Sequence, residues 1–293
     1  MIYKFPENAS LAYKTKKIIE HYGFNFKKNF GQNFLVDERV LEKIVNAASV
    51  SKDDVIIEVG PGIGTLTQAL AAKAGKVIAV EIDRTLIPIL EELLEDFDNI
   101  EIINEDILKL DITAVIEKYP HKHIKMVANL PYYITTPIIM NILEEHLPLE
   151  SITVMIQKEV AYRMSAAPST KEYGSLSLNV EYYAEAYLAA NVPRNCFMPK
   201  PNVDSAVIRL DILKEPTVKV KDEELLFRII KSAFSQRRKT LVNCLYSTAG
   251  LGLGKEETEN IIQECGYDAR VRGESLKLND YALIADKIAE IIK

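Results

Sequence analysis

Between residues 55 and 156 the chain alternates short apolar runs with longer stretches of helical periodicity, and few folds accommodate that pattern. The runs Val55–Val59, Val77–Ile82, Ile100–Ile103, Lys125–Ala128 and Ile152–Ile156 are rich in Val and Ile and nearly continuous in hydrophobicity. Parallel strands covered on both faces look like this. Helical patterns over Thr65–Ala74, Arg84–Phe97, Thr113–Tyr119 and Thr136–His146 lie between them. The last opens with threonines ahead of Pro137, a cap-then-proline start. The alternation predicts an open α/β sheet with right-handed crossovers. After Met164 the texture changes. Tyr173–Ala184 reads as a helix, Leu188–Val192 and Ala206–Ile212 as two strands, and Ile212–Pro216 as a linker, beyond which only helical patterns remain. The expected boundary is therefore near 215: an α/β domain over 1–215, whose first 50 residues form a basic, helical segment, and a small all-helical domain over 216–293.

Composition excludes several classes. No apolar run approaches the roughly eighteen residues of a membrane span. The amino-terminal lysines Lys14, Lys16, Lys17, Lys27 and Lys28 surround no apolar signal core, so a secretory signal is not expected. Cys196, Cys244 and Cys265 have no CxxC spacing, which fits a reducing cytoplasm and argues against zinc. His121-Lys122-His123 follows Tyr119-Pro120 and reads as a solvated turn. The net charge of −6 does not suggest nucleic acid, but its distribution does. Arg228, Lys231, Arg237, Arg238 and Lys239 fall in the stretch 225–250, which has no acid at all, while Glu91, Glu92, Glu95, Asp96 and Asp98 cluster on one helix. A basic face on an acidic body has this signature, as does a plain solvated helix.

Four strand ends carry chemistry. Glu58-Val59-Gly60-Pro61-Gly62-Ile63-Gly64 closes the first strand and opens a helix. Its glycines let the backbone approach a ligand, and its G-x-G-x-G spacing differs from the dinucleotide G-x-G-x-x-G. Glu81, ending the second strand, is placed to accept from both ribose hydroxyls of a nucleoside, with Asp83 as an alternative or a helix cap. Asp106, ending the third, can accept from an adenine amino group or cap its loop. Asn129-Leu130-Pro131-Tyr132 follows the fourth strand. It offers an amide, a carbonyl beside a proline, and an aromatic face. An exocyclic amine on a planar base is a poor nucleophile, because its lone pair is delocalised. Two acceptors on its hydrogens draw it towards tetrahedral geometry while a stacked ring fixes the base plane. Gln32-Asn33 reads as a helix cap ahead of Asp37–Ala48, and Tyr133, beside Ile134, as packing.

With these strings the chain resembles the small-subunit (16S) ribosomal RNA adenine N(6),N(6)-dimethyltransferases of the KsgA/RsmA type. The resemblance runs nearly end to end. It rests on Phe30-Gly31-Gln32-Asn33-Phe34-Leu35, the glycine turn, Asn129-Leu130-Pro131-Tyr132, the stretch from Phe197 to Ser205, and Phe234-Ser235-Gln236-Arg237-Arg238-Lys239-Thr240. It implies a Rossmann-like S-adenosylmethionine-dependent methyltransferase sheet followed by a helical rRNA-binding domain. It also implies two adjacent adenosines near the 3′ end of small-subunit rRNA as the target, each dimethylated, and a part in ribosome biogenesis. By position, Asn33 and Leu35 close the cofactor pocket, Gly60, Gly62, Glu81 and Asp106 hold the cofactor, and Asn129 borders cofactor and base. Leu130 and Pro131 complete the acceptor site, Tyr132 and Phe197 wall the base, and Arg237, Arg238 and Lys239 meet RNA. A cytoplasmic monomer without metal, acting on an immature small ribosomal particle, is expected. The rivals are a large-subunit rRNA adenine methyltransferase of the macrolide-resistance type, which tends to have isoleucine where Leu130 stands, a DNA adenine methyltransferase, whose motif carries two prolines before the aromatic, and a non-catalytic assembly factor.

Overall fold

The computed structural model of the chain describes residues 5–6, 8–23, 32–120 and 122–292; His121, Lys27, Lys28 and most of the segment 24–34 lie outside them. In chain order its elements are α1 (Leu11–His21), β1 (Phe34–Leu35), α2 (Glu38–Ala47), β2 (Asp54–Val59), α3 (Thr65–Ala71), β3 (Lys76–Val80), α4 (Ile87–Leu93), β4 (Ile100–Ile103), α5 (Ile112–Ile116), β5 (His123–Asn129) and α6 (Thr135–Glu144). There follow β6 (Ser151–Gln157), α7 (Lys158–Met164), α8 (Ser175–Tyr183), β7 (Ala184–Val192), β8 (Phe197–Met198) and β9 (Ser205–Ile212). The helices α9 (Glu223–Ala233), α10 (Leu241–Thr248), α11 (Lys255–Glu264) and α12 (Leu278–Ile291) complete the chain.

Seven strands form one sheet in the order β4-β3-β2-β5-β6-β9-β7. The pairs β3–β4, β2–β3, β2–β5 and β5–β6 are parallel, and β9 runs antiparallel to β6. Every residue of β2 is buried, as the unbroken apolar run requires of a central parallel strand. Progression from β2 to β4 moves one way across the sheet, and β5 returns to the other flank of β2. That reversal opens a crevice beyond the carboxyl ends of β2 and β5, where ligands of open α/β sheets bind. Ile56, Val77, Val127 and Met155 pack with Val40 and Ile44 of α2 and with Leu66 and Leu70 of α3. Each such burial contributes about 1.5–3 kcal/mol. Asp37 starts α2 by accepting from Arg39 N at 3.0 Å.

The chain divides into two compact units, one comprising residues up to Ala161 with Tyr187–Ile212, the other Tyr162–Ala186 with Leu213 onward. The second junction falls at 212–213, close to the expected 215. Residues 162–186, expected in the α/β domain, cluster instead with the helical unit. The reason is tertiary: Tyr182 and Tyr183 donate to the Glu223 carboxylate at 3.0 and 2.7 Å, and Tyr173 Oη to the Leu276 carbonyl at 2.8 Å. Another difference is the two-stranded sheet β1–β8, in which Leu35 pairs with Phe197. The expected threonine cap of α6 is also absent. Ile134 is the cap residue, and the Thr135 hydroxyl reaches back to the Pro131 carbonyl at 3.1 Å.

Candidate active site

An open cleft lies over the ends of β2, β3 and β5. Gly62 shows why its floor is built from glycine. Its φ is +63°, and an added Cβ would stand 2.9 Å from Cε1 of Phe34. Gly60, at φ +68°, donates to the Val80 carbonyl at 2.9 Å, pinning the turn to β3. The predicted residues Asn33, Leu35, Gly60, Gly62, Glu81, Asp106, Asn129, Leu130, Pro131 and Tyr132 all line this cleft.

Glu81 is buried. Its carboxylate accepts from Gly62 N at 3.3 Å and Asp83 N at 2.8 Å. Burial raises its pKa, and these backbone donors oppose the shift. Asp83, the alternative, is engaged elsewhere: it accepts from Thr85 N and Oγ1 at 3.0 and 2.7 Å and from Gln32 Nε2 at 3.3 Å, and it does not line the cleft. Asp106 both lines the cleft and caps its loop, accepting from Leu108 N at 3.1 Å. Glu58 lies wholly buried beneath the glycine turn, and its Oε2 has no hydrogen-bond partner among the described residues. Burial pushes its pKa up to about 8.

At the end of β5 the Asn129 side chain donates through Nδ2 to the Asn33 carbonyl at 3.0 Å. Its Oδ1 takes no hydrogen bond from the described residues, and neither does the Leu130 carbonyl. Two unoccupied acceptors thus sit side by side at the cleft, followed by a proline that has no competing N–H. The Leu130 side chain is buried, and its N–H is spent on the Met155 carbonyl at 3.1 Å. Tyr132 is half-buried, with its hydroxyl 2.6 Å from Ser205 Oγ.

Three placements differ from expectation. Phe197, expected as a second wall facing Tyr132, is only 4% exposed and belongs to the core with Leu35, Val127 and Val207. Its pairing with Leu35 turns the ring into that core. Tyr133, read as packing, is 56% exposed and lines the cleft. Its hydroxyl pKa is raised by partial burial and by the carboxylates of Asp106 and Glu81. Arg237, expected to face RNA, is committed within its own unit. Its guanidinium binds Glu274 Oε2 at 2.7 Å, the Thr170 carbonyl at 2.9 Å and the Lys171 carbonyl. The acid missing from 225–250 is supplied by a residue remote in sequence. Arg238 and Lys239 are exposed and form no ion pair with the described residues. Ser205 carries no local signal of a role, because its partner Tyr132 is 73 residues away. Among the described residues no cluster of His, Cys, Asp or Glu is arranged to hold a metal ion, and no helix is long and apolar enough to cross a membrane.

A glycine-floored cleft at the switch point of an open sheet is where enzymes of the doubly wound α/β class bind their ligands. A match to the family described as ribosomal RNA adenine dimethylase spans residues 23–289. "Ribosomal RNA small subunit methyltransferase A" of Lachnoclostridium phytofermentans is 55% identical over 96% of this chain and 97% of its own. The protein of that name from Bacillus licheniformis is 50% identical over 95% and 97%. Among solved structures, a dimethyladenosine transferase from Plasmodium falciparum aligns with a TM-score of 0.72 and 27% identity, covering 86% of this chain and 95% of that one. The 23S rRNA methyltransferase ErmE aligns at 0.66 and 26%, covering 88% and 100%. The chain belongs to the ribosomal RNA adenine dimethylase family. The resemblance seen in its motifs is borne out, and so are the α/β fold and an rRNA adenine dimethyltransferase activity of the small-subunit type.

Proposed function

We propose that the chain transfers methyl groups from S-adenosylmethionine to the exocyclic amino groups of two adjacent adenosines near the 3′ end of small-subunit rRNA, within an immature ribosomal particle. The observation that carries this reading is the pair Asn129 Oδ1 and the Leu130 carbonyl, on residues that line the cleft and without a hydrogen bond from the described residues. The donor set fits the cofactor. Glu81 meets ribose hydroxyls, Asp106 meets the adenine amino group, and the Gly60–Gly62 floor, where a Cβ at Gly62 would strike the Phe34 ring, lets the ligand lie against backbone. Asn33 and Leu35 close the near side. When bound, S-adenosylmethionine supplies an electrophilic methyl group on a sulfonium.

The chain's own residues prepare the amine. An unpaired adenosine splayed from its loop stacks on Tyr132, which offsets part of the few kcal/mol of unstacking, at roughly 1–3 kcal/mol per ring contact. Asn129 Oδ1 and the Leu130 carbonyl accept the two amino hydrogens and localise the lone pair. No strong base is needed, because the nitrogen becomes acidic only once alkylated. Arg238 and Lys239 meet RNA phosphates, and the role extends to small-subunit assembly in the cytoplasm.

The direct test supplies labelled S-adenosylmethionine with immature small subunits, naked rRNA or large subunits. Label should enter two adjacent adenosines of the small-subunit particles; transfer to large subunits alone would overturn the reading. Glu81→Ala should weaken cofactor binding by roughly 1.5–3 kcal/mol, the contribution of charge-assisted hydrogen bonds. Calorimetry showing an unchanged dissociation constant would remove Glu81 from the ribose site.

A further inference from the structure

We propose that Ser205 is a positioning residue that latches the Tyr132 ring along the axis required for base stacking. The inference rests on the stacking role of Tyr132 proposed above. Tyr132 begins the turn that joins β5 to α6, and its hydroxyl spans to Ser205 Oγ at 2.6 Å. In the sheet β6 lies between β5 and β9, so the ring bridges two non-adjacent strands. One end is fixed through its own Cα, the other through the hydroxyl.

The anchor itself is rigid. Ser205 is fully buried and pairs with Gln157 at the end of β6. Its neighbour Asp204 accepts from Lys158 N through the backbone carbonyl and from Arg194 N through the carboxylate, both at 3.0 Å. Ser205 therefore presents a hydroxyl from a fixed point. Tyr133 provides the contrast on the same turn. It is more exposed, and its hydroxyl makes no hydrogen bond with the described residues. Of two consecutive tyrosines at one cleft, only the first is held at both ends. A stacking surface whose axis is set in advance loses no side-chain entropy when the base arrives, and it holds the amine in line for attack.

The latch should act on turnover rather than on particle affinity, because phosphate contacts dominate RNA binding. The test uses the full chain with small ribosomal particles as substrate and compares wild type, Ser205→Ala, Tyr132→Phe, the double variant and Tyr132→Ala. Ser205→Ala and Tyr132→Phe each remove one side of the latch but keep the ring. Each should lower kcat about three- to tenfold, the span of one neutral hydrogen bond. KM for the particle and the cofactor dissociation constant should stay at wild-type values, and the melting temperature should fall by no more than the few degrees that one lost hydrogen bond costs. The double variant should be no slower than the slower single one, since both lose the same contact. A Ser205→Ala enzyme with wild-type kcat, multiplying effects in the double variant, or a loss that tracks melting temperature or cofactor affinity would each overturn the latch. Tyr132→Ala separates the two readings. If it is severely impaired while Tyr132→Phe and Ser205→Ala are not, the latch alone fails; if it too is near wild type, the stacking role fails with it.

Discussion

The Asn129 amide has its orientation set before any substrate arrives. Its amide nitrogen donates to the Asn33 carbonyl, and because a carbonyl can only accept, the opposite amide orientation would set two oxygens against each other. Oδ1 is therefore committed as the free acceptor before any ligand arrives. Asn129→Ala removes it from the transition state while leaving the glycine floor, Glu81 and Asp106 in place. Turnover should fall at least about a hundredfold, as when one oxyanion-hole donor is deleted, with S-adenosylmethionine affinity within a few-fold. A variant that turns over near the wild-type rate with cofactor binding intact would remove Asn129 from the chemistry. Glu58 makes a prediction of a different kind. Folded, it keeps its proton up to about pH 8, whereas its ordinary value is 4.5. Between those values the native state binds the extra proton, so its contribution falls as pH rises through this window and levels off above it. Glu58→Gln cannot titrate. In urea unfolding without cofactor, its stability relative to wild type should be constant below about pH 4.5 and then rise, by on the order of a few kcal/mol, towards pH 8. A pH-independent difference between the two proteins would show that Glu58 is already ionised in the fold.

The elements that could be read in advance are those whose burial writes a local pattern. The strands β2, β3, β5 and β6 appear in the sequence as apolar runs because both faces of a parallel strand are covered. Glu81, Asp106 and Asn129 could be read because topology places the residue after each such run at the crevice. Elements defined by remote partners could not. The strands β1 and β8 have two residues each, too few for any period, yet they join the cofactor side of the cleft to the segment leading to Ser205. The helix α7 follows β6 with no turn residue between them. Ser205 and Glu274 acquire meaning only beside Tyr132 and Arg237. Arg237 ties the 170–171 segment to Glu274, so Arg237→Ala should destabilise the helical unit. The ion pair is partly exposed, with side-chain accessibilities of 44% and 30%. Solvent screening therefore limits the cost to about 1 kcal/mol. Thermal unfolding should show a small drop, with cofactor affinity unchanged; an unshifted melting curve would release Arg237 to serve as an RNA contact.

For the whole molecule the question is how an acidic protein, with a net charge of −6, binds a polyanion. The proposed answer is segregation of charge. Arg238 and Lys239 precede Thr240, the cap of α10, and the next residue, Leu241, donates its N–H to the Val271 carbonyl at 2.8 Å. That bond brings Val271, which Arg270 and Arg272 flank, to the start of α10 two residues after Lys239. Arg270 and Arg272 are exposed as well. Counterions condensed on RNA are released when such cations meet phosphates, and each contact contributes about 0.7–0.9 to the slope of log affinity against log salt. Arg238→Ala with Lys239→Ala should therefore weaken binding to small ribosomal particles and flatten that slope by about 1.4–1.8. Arg237 is left intact in this variant, so its structural contacts do not confound the result. Cofactor affinity should stay fixed, since neither residue lines the cleft. A folded double variant with the wild-type salt slope would show that this face is merely solvated, and that the phosphates are met elsewhere on the chain.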